Sequence, residues 1–250
     1  EMNYDEQKKQ HVAILSGLKP QTKYYYKIHR KNLAGCGEES KNEDCAYFFR
    51  TAPKVGSRTP FEFTIVGDIH ANPSEDISRV FNSMLKYAPD HDFNATVGDS
   101  INDGTYPTHW NSYFSDLKHY LPKKPQLNAT GNHDTGKSED KYSRFIKNFP
   151  HQPYAAPKNG GYFLIKYGNA VFFFVDSCNA GGWEPTPSDE QYEWLEENME
   201  KYAKKDSWIF LFMHHQIYST GDFSCANVMD MMYRPLCQEY KVDAVFYGHD

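Results

Sequence analysis

The pattern that most constrains this chain is an apolar run that stops at a glycine and is followed by metal-binding side chains. It first occurs at 64–70, Thr-Ile-Val-Gly-Asp-Ile-His, where Asp68 and His70 come directly after the run. A short apolar run closed by glycine predicts a buried β-strand. Because ligands of open α/β sheets bind at the carboxyl ends of strands, this position predicts a functional site.

Four later segments, at 95–99, 127–134, 208–215 and 245–249, repeat this arrangement. A single Gly-Asp or exposed imidazole is weak evidence, because such residues are common in turns. The whole series, with each member after an apolar run, predicts one two-metal site built from five strand ends. The polar residues that follow the four later runs are Asp99, then Asn132, His133 and Asp134, then His214 and His215, and finally His249.

Helical patterns separate these strands, which predicts an α/β domain. Ser74 is the expected N-cap of the first helix. A capping-box sequence begins at Ser188 and predicts the start of the helix that carries Tyr192. Segments 161–168 and 170–176 predict two strands joined by a tight turn. The expected buried helix faces are Ile77, Val80, Phe81, Met84 and Leu85; Trp110, Phe114, Leu117 and Leu121; Tyr142, Phe145, Ile146 and Phe149; and Tyr192, Leu195, Met199 and Tyr202.

Composition excludes several classes of protein. The 250 residues include 19 Tyr and 17 Phe, which is incompatible with a disordered chain. The net charge of −6 argues against a nucleic-acid backbone as partner. No apolar run approaches the ~20 residues of a membrane helix, so no transmembrane segment is expected.

Residues 1–53 differ from the rest of the chain. Aromatic, β-prone segments at 24–28 and 46–51 predict strands. The Leu-x-Pro-x-Thr-x-Tyr-x-Tyr run at 18–26 resembles the tyrosine corner of fibronectin type III sandwiches. Such sandwiches need roughly 100 residues, so a partial β-sandwich domain is expected at 1–53, followed by a linker at 54–60.

The five cysteines leave two interpretations open. In an oxidising compartment each of two pairs can form a disulfide, Cys36 with Cys45 and Cys225 with Cys237. In a reducing compartment all of these residues remain thiols. Asn94 and Asn128 match the glycosylation pattern, but both lie in predicted strands, so we interpret both as chance matches.

The ordered series Asp-x-His, Gly-Asp, Gly-Asn-His-Asp, His and Gly-His resembles the calcineurin-like metallophosphoesterase family. With the fibronectin-like lead-in, the chain is most similar to the purple acid phosphatases. The resemblance implies a four-layer α/β/β/α sandwich at 61–250 with two Fe, Mn or Zn ions between its sheets. It also implies hydrolysis of phosphate monoesters by hydroxide generated at the two ions.

The resemblance also implies a role for each residue. Two groups of ligands share one bridging carboxylate. His133 is the expected general acid, Asp134 is expected to orient its imidazole, and His215 either contacts the substrate or is structural. The expected ligands are Asp68 and His70 for the first ion, Asp99 for the bridge, and Asn132, His214 and His249 for the second ion.

Three departures from the purple acid phosphatase pattern stand out. Those enzymes have glycine where this chain has His70, and a metal-binding tyrosine where it has Asn102. The tyrosinate–iron colour should therefore be absent. Their last motif is Gly-His-x-His, whereas this chain stops at Asp250, so we expect either a trimmed chain, which we favour, or a first ion with fewer ligands.

Two alternatives to a phosphomonoesterase remain at this stage. The first alternative is a phosphodiesterase or nucleotide hydrolase that uses the same metal centre. It requires aromatic side chains that stack on a base, for which the candidates in loops 177–187 and 217–227 are Trp183, Tyr218 and Phe223. The second alternative is a structural or adhesion module with an inactive site. The fibronectin-like segment favours a secreted or extracytoplasmic location.

Overall fold

We describe a computed structural model of the chain, which covers residues 2–5, 10–27, 47–135, 141–149, 161–178, 188–203, 207–221 and 226–250. Short strands precede an α/β region in which strands and helices alternate. The strands are β1 (Met2–Asp5), β2 (Gln10–Ala13), β3 (Lys23–Tyr26), β4 (Tyr47–Arg50), β5 (Phe63–Val66), β6 (Phe93–Thr96), β7 (Gln126–Asn128), β8 (Phe163–Tyr167), β9 (Ala170–Phe174), β10 (Trp208–Phe212) and β11 (Ala244–Phe246). The helices are α1 (Ser78–Tyr87), α2 (Pro107–Asp116), α3 (Asn132–Thr135), α4 (Lys141–Asn148), α5 (Asp189–Tyr202) and α6 (Ala226–Glu239).

Two sheets form the centre of the α/β region. Strands β5, β6 and β7 form a parallel sheet in that order. The second sheet has the order β11-β10-β9-β8, in which β9, β10 and β11 are parallel and β8 is antiparallel to β9. The predicted hairpin at 161–176 is thus confirmed as β8 and β9.

The alternation of side chains along β9 shows how the layers pack. Phe172 and Phe174 belong to the core shared by the two sheets, whereas Val171 and Phe173 belong to a core shared with α5 and α6. Successive strand residues point to opposite faces, so β9 is covered on both sides. A third core, which includes Phe81 of α1 and Trp110 of α2, covers the outer face of the three-stranded sheet. These layers form the expected α/β/β/α order.

Most predicted helix faces are buried, but three details of the prediction are wrong. Helix α1 begins at Ser78 with Ile77 as its N-cap, whereas the backbone N–H of Ser74 donates to the side chain of Asn72. Val80 is 48% exposed and Phe114 is 37% exposed. Each lies on the outer flank of its helix, because Phe81 and Trp110 occupy the side that faces the sheet.

The capping box of α5 is confirmed, since the Ser188 hydroxyl accepts a hydrogen bond from the Gln191 backbone N–H at 3.2 Å. Asn94 and Asn128 are fully buried, which fits chance matches to the glycosylation pattern. Cys178 and Cys237 are free thiols, whereas Cys225 lies outside the described residues.

The amino-terminal strands form two hairpins, β1 with β2 and β3 with β4. The sequence predicted the two strands of the second hairpin but not their pairing, and it predicted neither strand of the first. The Tyr26 hydroxyl donates to the Pro122 carbonyl at 3.0 Å, which attaches this hairpin to the α/β region. Cys36, Cys45 and the side chain of Tyr142 lie outside the described residues. Among the helices that the structure describes, none has the length and apolar character needed to span a bilayer.

Candidate metal centre

The predicted site residues meet at one edge of the sandwich because the strand pairing continues past the strand ends. The His70 N–H donates to the Asp99 carbonyl at 2.9 Å, and the Gly248 N–H donates to the His214 carbonyl at 3.0 Å. The segment after β5 therefore runs beside the segment after β6. The segment after β11 runs beside the one after β10 in the same way.

The backbone is strained where the candidate ligands lie. Asp68, His70, Asp99 and His249 have φ values of +50°, +50°, +52° and +72°, in the left-handed region. This conformation is uncommon for residues other than glycine and costs roughly 1–3 kcal/mol each. Such strain persists only where surrounding contacts enforce it, and it clusters at functional sites.

Two motif glycines are required by close approach. A Cβ on Gly98 would lie 2.6 Å from Nδ1 of His214, and Gly98 itself has φ +97°. A Cβ on Gly248 would clash with Oδ2 of Asp68. These glycines allow side chains from neighbouring strands to pack directly against the backbone.

Asp99 lies at the centre of the site, with 2% of its surface exposed. Its Oδ1 accepts the backbone N–H of His133 at 2.9 Å. Its Oδ2 lies 3.1 Å from Nε2 of His214 and 3.7 Å from Nε2 of His70. Burial would raise the pKa of Asp99, but the hydrogen bond and charge of His214 outweigh it and lower that pKa.

The tautomer of His214 follows from its buried partner. Its Nδ1 lies 2.9 Å from the Val97 carbonyl, which can only accept, so Nδ1 carries the proton. In the neutral ring, Nε2 then presents a lone pair to Asn132 Oδ1 at 2.9 Å, Asp99 Oδ2 at 3.1 Å and His249 Nδ1 at 3.1 Å. Acceptors that converge in this way need either a proton on Nε2 or a metal cation among them.

The electrostatics agree with a site for a cation. Burial by itself lowers the pKa of His214, but the hydrogen bond and charge of Asp99 raise it above the ordinary value of 6.5. Burial lowers the pKa of both His70 and His249, so these rings favour the neutral form that binds metals. Imidazole mixed with carboxylate and amide oxygen suits Fe, Mn or Zn.

Two groups of ligand atoms share Asp99 within the described part of the chain. One contains His70, Asp99 and His133, and the other contains Asp99, His214 and His249. In each group the ligand atoms lie within 4.8 Å of one another. Two clusters with a common buried carboxylate have the layout of a dinuclear metal centre.

Asp68 reaches the same edge but belongs to neither of those two groups. It is exposed, and its two carboxylate oxygens accept the backbone N–H of His249 at 3.1 and 3.2 Å. This contact ties the segment after β5 to the segment after β11. Asp68 therefore lies at the exposed rim of the site.

The expected contact between Asp134 and the His133 imidazole is wrong. His133 Nδ1 instead donates to the carbonyl of Asn102 at 2.6 Å. The buried carboxylate of Asp134 accepts the backbone N–H groups of Ile101 and Gly131, both at 2.9 Å. Asp134 thus ties together the two segments that carry Asp99 and His133, and burial followed by the charge of Asp99 raises the pKa of its carboxyl.

His215 is fully buried rather than open to a substrate. Its Nδ1 lies 2.9 Å from Oγ of Ser177, and its ring centroid lies 4.4 Å from that of His249. Of the aromatic residues proposed as cleft walls, Tyr218 is 70% exposed, whereas Trp183 and Phe223 lie outside the described residues.

Sequence reasoning missed two residues that hold the candidate ligands in place. The Asn102 carbonyl and the Ser177 hydroxyl were not identified, because a backbone acceptor has no sequence signature and a single serine after a strand is common. The available signal for Ser177 was its position shortly after β9, because the candidate site residues follow other strands in the same way.

This fold and site define an α/β domain with metal-binding side chains at its strand ends. The chain belongs to the calcineurin-like phosphoesterase family, whose model matches residues 61–250. A purple acid phosphatase of Glycine max is 26% identical over 253 residues, covering 96% of this chain and 51% of that protein. The Fe(3+)-Zn(2+) purple acid phosphatase 12 of Arabidopsis thaliana is also 26% identical, with 96% and 50% covered.

A solved structure shows the same fold. The purple acid phosphatase PPD1 from Lupinus luteus seeds matches with a TM-score of 0.67 and 20% identity, covering 82% of this chain and 40% of that one. The chain spans about half the length of the curated relatives named above.

Proposed function

We propose that this protein is a metal-dependent phosphoesterase that hydrolyses phosphate monoesters. The observation that carries the proposal is the buried Asp99 carboxylate, which faces His70 on one side and His214 on the other. The family to which the chain belongs, and the names of its relatives, support the same conclusion.

We assign two ions to the site. Asp68, His70 and Asp99 hold the first, and Asp99 with Asn132, His214 and His249 holds the second. The donor set fits iron, manganese or zinc, and one relative carries iron and zinc in its name. When bound, such a pair of ions binds the phosphate oxygens and lowers the pKa of water that attacks phosphorus.

His133 is the proposed general acid. Because its Nδ1 donates to the Asn102 carbonyl, we assign the proton transfer to Nε2. From there it protonates the departing alkoxide of the ester, which otherwise leaves as a poor leaving group. His133 is also half-buried rather than enclosed, so a substrate oxygen can reach it.

The test combines metal analysis with assays on two esters. We expect close to two Fe, Mn or Zn ions per chain, and hydrolysis of p-nitrophenyl phosphate that is lost with chelator and restored by metal. Bis(p-nitrophenyl) phosphate should be hydrolysed more slowly. A faster rate on this diester would favour the phosphodiesterase alternative. Two bound ions without turnover of either ester would favour an inactive module.

We also propose that residues 1–53 belong to a fibronectin type III-like sandwich and that the protein acts outside the cytoplasm. The Tyr24 hydroxyl accepts the Lys19 backbone N–H at 2.8 Å, five residues upstream, as in a tyrosine corner. Fractionation of cells that express the full-length protein tests the location, and recovery in the cytosol would contradict it.

A further inference from the structure

The end of β9 is the one strand end in the site that carries no assigned role. Residues Val175, Asp176, Ser177 and Cys178 follow it and are at most 4% exposed. They lie between the edges that carry Asn132 and His214, yet none of them belongs to the metal-binding groups found in the described chain. Their buried polar groups therefore need another explanation.

Asp176 bonds to the segment that leads into Asn132. Its Oδ1 accepts the hydroxyl of Thr130 at 2.9 Å and the backbone N–H of Cys178 at 2.8 Å. Thr130 is fully buried and lies two residues before Asn132. The contact crosses from the four-stranded sheet to the three-stranded sheet, so it sets where the Asn132 segment lies.

Ser177 bonds to the opposite half of the site. Its Oγ accepts the backbone N–H of His215 at 3.0 Å and lies 2.9 Å from His215 Nδ1. His215 follows His214 directly, and its ring packs 4.4 Å from that of His249. One hydroxyl thus fixes both the backbone after β10 and the ring that supports His249.

A side chain from α5 holds the β9 end itself in position. Gln191 accepts the Asp176 N–H at 2.7 Å and donates to the Asp176 carbonyl at 2.8 Å, as a neighbouring strand would. Its amide also donates to the Tyr233 hydroxyl at 3.2 Å. The segment at 176–177 is therefore a rigid support, because its backbone and side chains are both bonded.

A nucleophilic role for this segment does not fit. Ser177 and Cys178 are fully buried, and burial raises the pKa of the Cys178 thiol well above its usual value, so it remains protonated. A residue that acts through the neighbours it contacts does not need access to solvent.

We propose that Asp176 and Ser177 are positioning residues for the second ion, because they fix the separation between Asn132 and the His214–His249 pair. This inference rests on the proposed dinuclear function. Partners that orient metal ligands typically contribute about 10- to 100-fold in metal affinity. Asp176→Ala and Ser177→Ala should each lower the binding affinity for one of the two ions by this factor. The affinity for the other ion should stay unchanged.

Zinc titration of the metal-free protein against a competing chelator, with elemental analysis, measures both affinities without any assay of turnover. Asp176→Asn should restore binding, since the amide oxygen can still accept from Thr130 and Cys178. Thr130→Val breaks the same bond from the other side and keeps the test possible if Asp176→Ala does not fold. Tyr233→Phe is the matched control: it alters the same network beyond Gln191 and should lower only the melting temperature.

A double-mutant cycle identifies which ion is affected. In the Asn132→Ala background, which already lacks a ligand of the second ion, Asp176→Ala should cause no further loss of affinity. Equal, additive losses would overturn the inference, as would unchanged zinc affinities with a melting temperature lowered as in Tyr233→Phe. A wild-type protein that binds no zinc would instead overturn the proposed function and this inference together.

Discussion

Replacing Asp99 with asparagine tests the centre of the site with a change of few atoms. The amide keeps the oxygen that accepts the His133 N–H, so the backbone contact at 2.9 Å can survive. What is lost is the negative charge on the second oxygen, which lies 3.1 Å from His214 Nε2 and 3.7 Å from His70 Nε2. The change therefore separates the charge of Asp99 from its structural role.

The magnitude follows from the loss of one negative charge beside a bound cation. Two unit charges about 3 Å apart attract by about 5 kcal/mol at an effective dielectric constant of ~20. Such a difference corresponds to roughly four decades in an equilibrium constant. Relaxation of neighbouring groups reduces it, so we expect metal affinity to fall by at least about 100-fold and turnover to fall with it.

The assay is metal content after gel filtration, together with initial rates at saturating metal. Asp103→Asn is the control, because Asp103 carries the same charge four residues away and its carboxylate accepts hydrogen bonds from Thr105 within its own turn. It should retain both ions and near-normal rates. An Asp99→Asn variant that keeps two tightly bound ions, or rates within a few-fold of wild type, would refute a shared carboxylate.

Three further predictions concern catalysis, pH dependence and packing. His133→Ala should slow alkyl phosphates by about 10²- to 10⁴-fold and p-nitrophenyl phosphate much less; equal losses on both esters would contradict a general acid. Burial lowers the pKa of His91 below 6.5, so its contribution to stability is present above pH 6.5 and is lost as the pH falls through the folded pKa. Thermal unfolding at pH 5 and 7 should show a weaker pH dependence for His91→Gln than for wild type, whereas the exposed-site control His119→Gln should match wild type. Phe172→Ala should lower the free energy of unfolding by about 3–5 kcal/mol in urea titrations, because Phe172 is fully buried between the sheets; the half-exposed Val80→Ala should stay within about 0.5 kcal/mol of wild type, and similar losses in both would argue against the two-sheet core.

The positions of most strands along the chain and the chemical type of each candidate ligand were readable from the sequence because both are local properties. An apolar run, a glycine and a donor residue occupy adjacent positions, and parallel strands must bring their carboxyl ends to one edge. The series from Asp68 to His249 was therefore identified before the fold, and so were its family resemblance and the layered α/β architecture.

The tertiary structure decided which atoms meet. Asp134 was expected beside the His133 imidazole, but the register between the segments after β6 and β7 gives that place to the Asn102 carbonyl. The proposed roles of Asp176 and Ser177 depend on contacts over 46 and 38 residues of sequence, across or within sheets. Such contacts have no local pattern, because they are set by how two sheets and their helices pack against each other, and that packing depends on the whole chain.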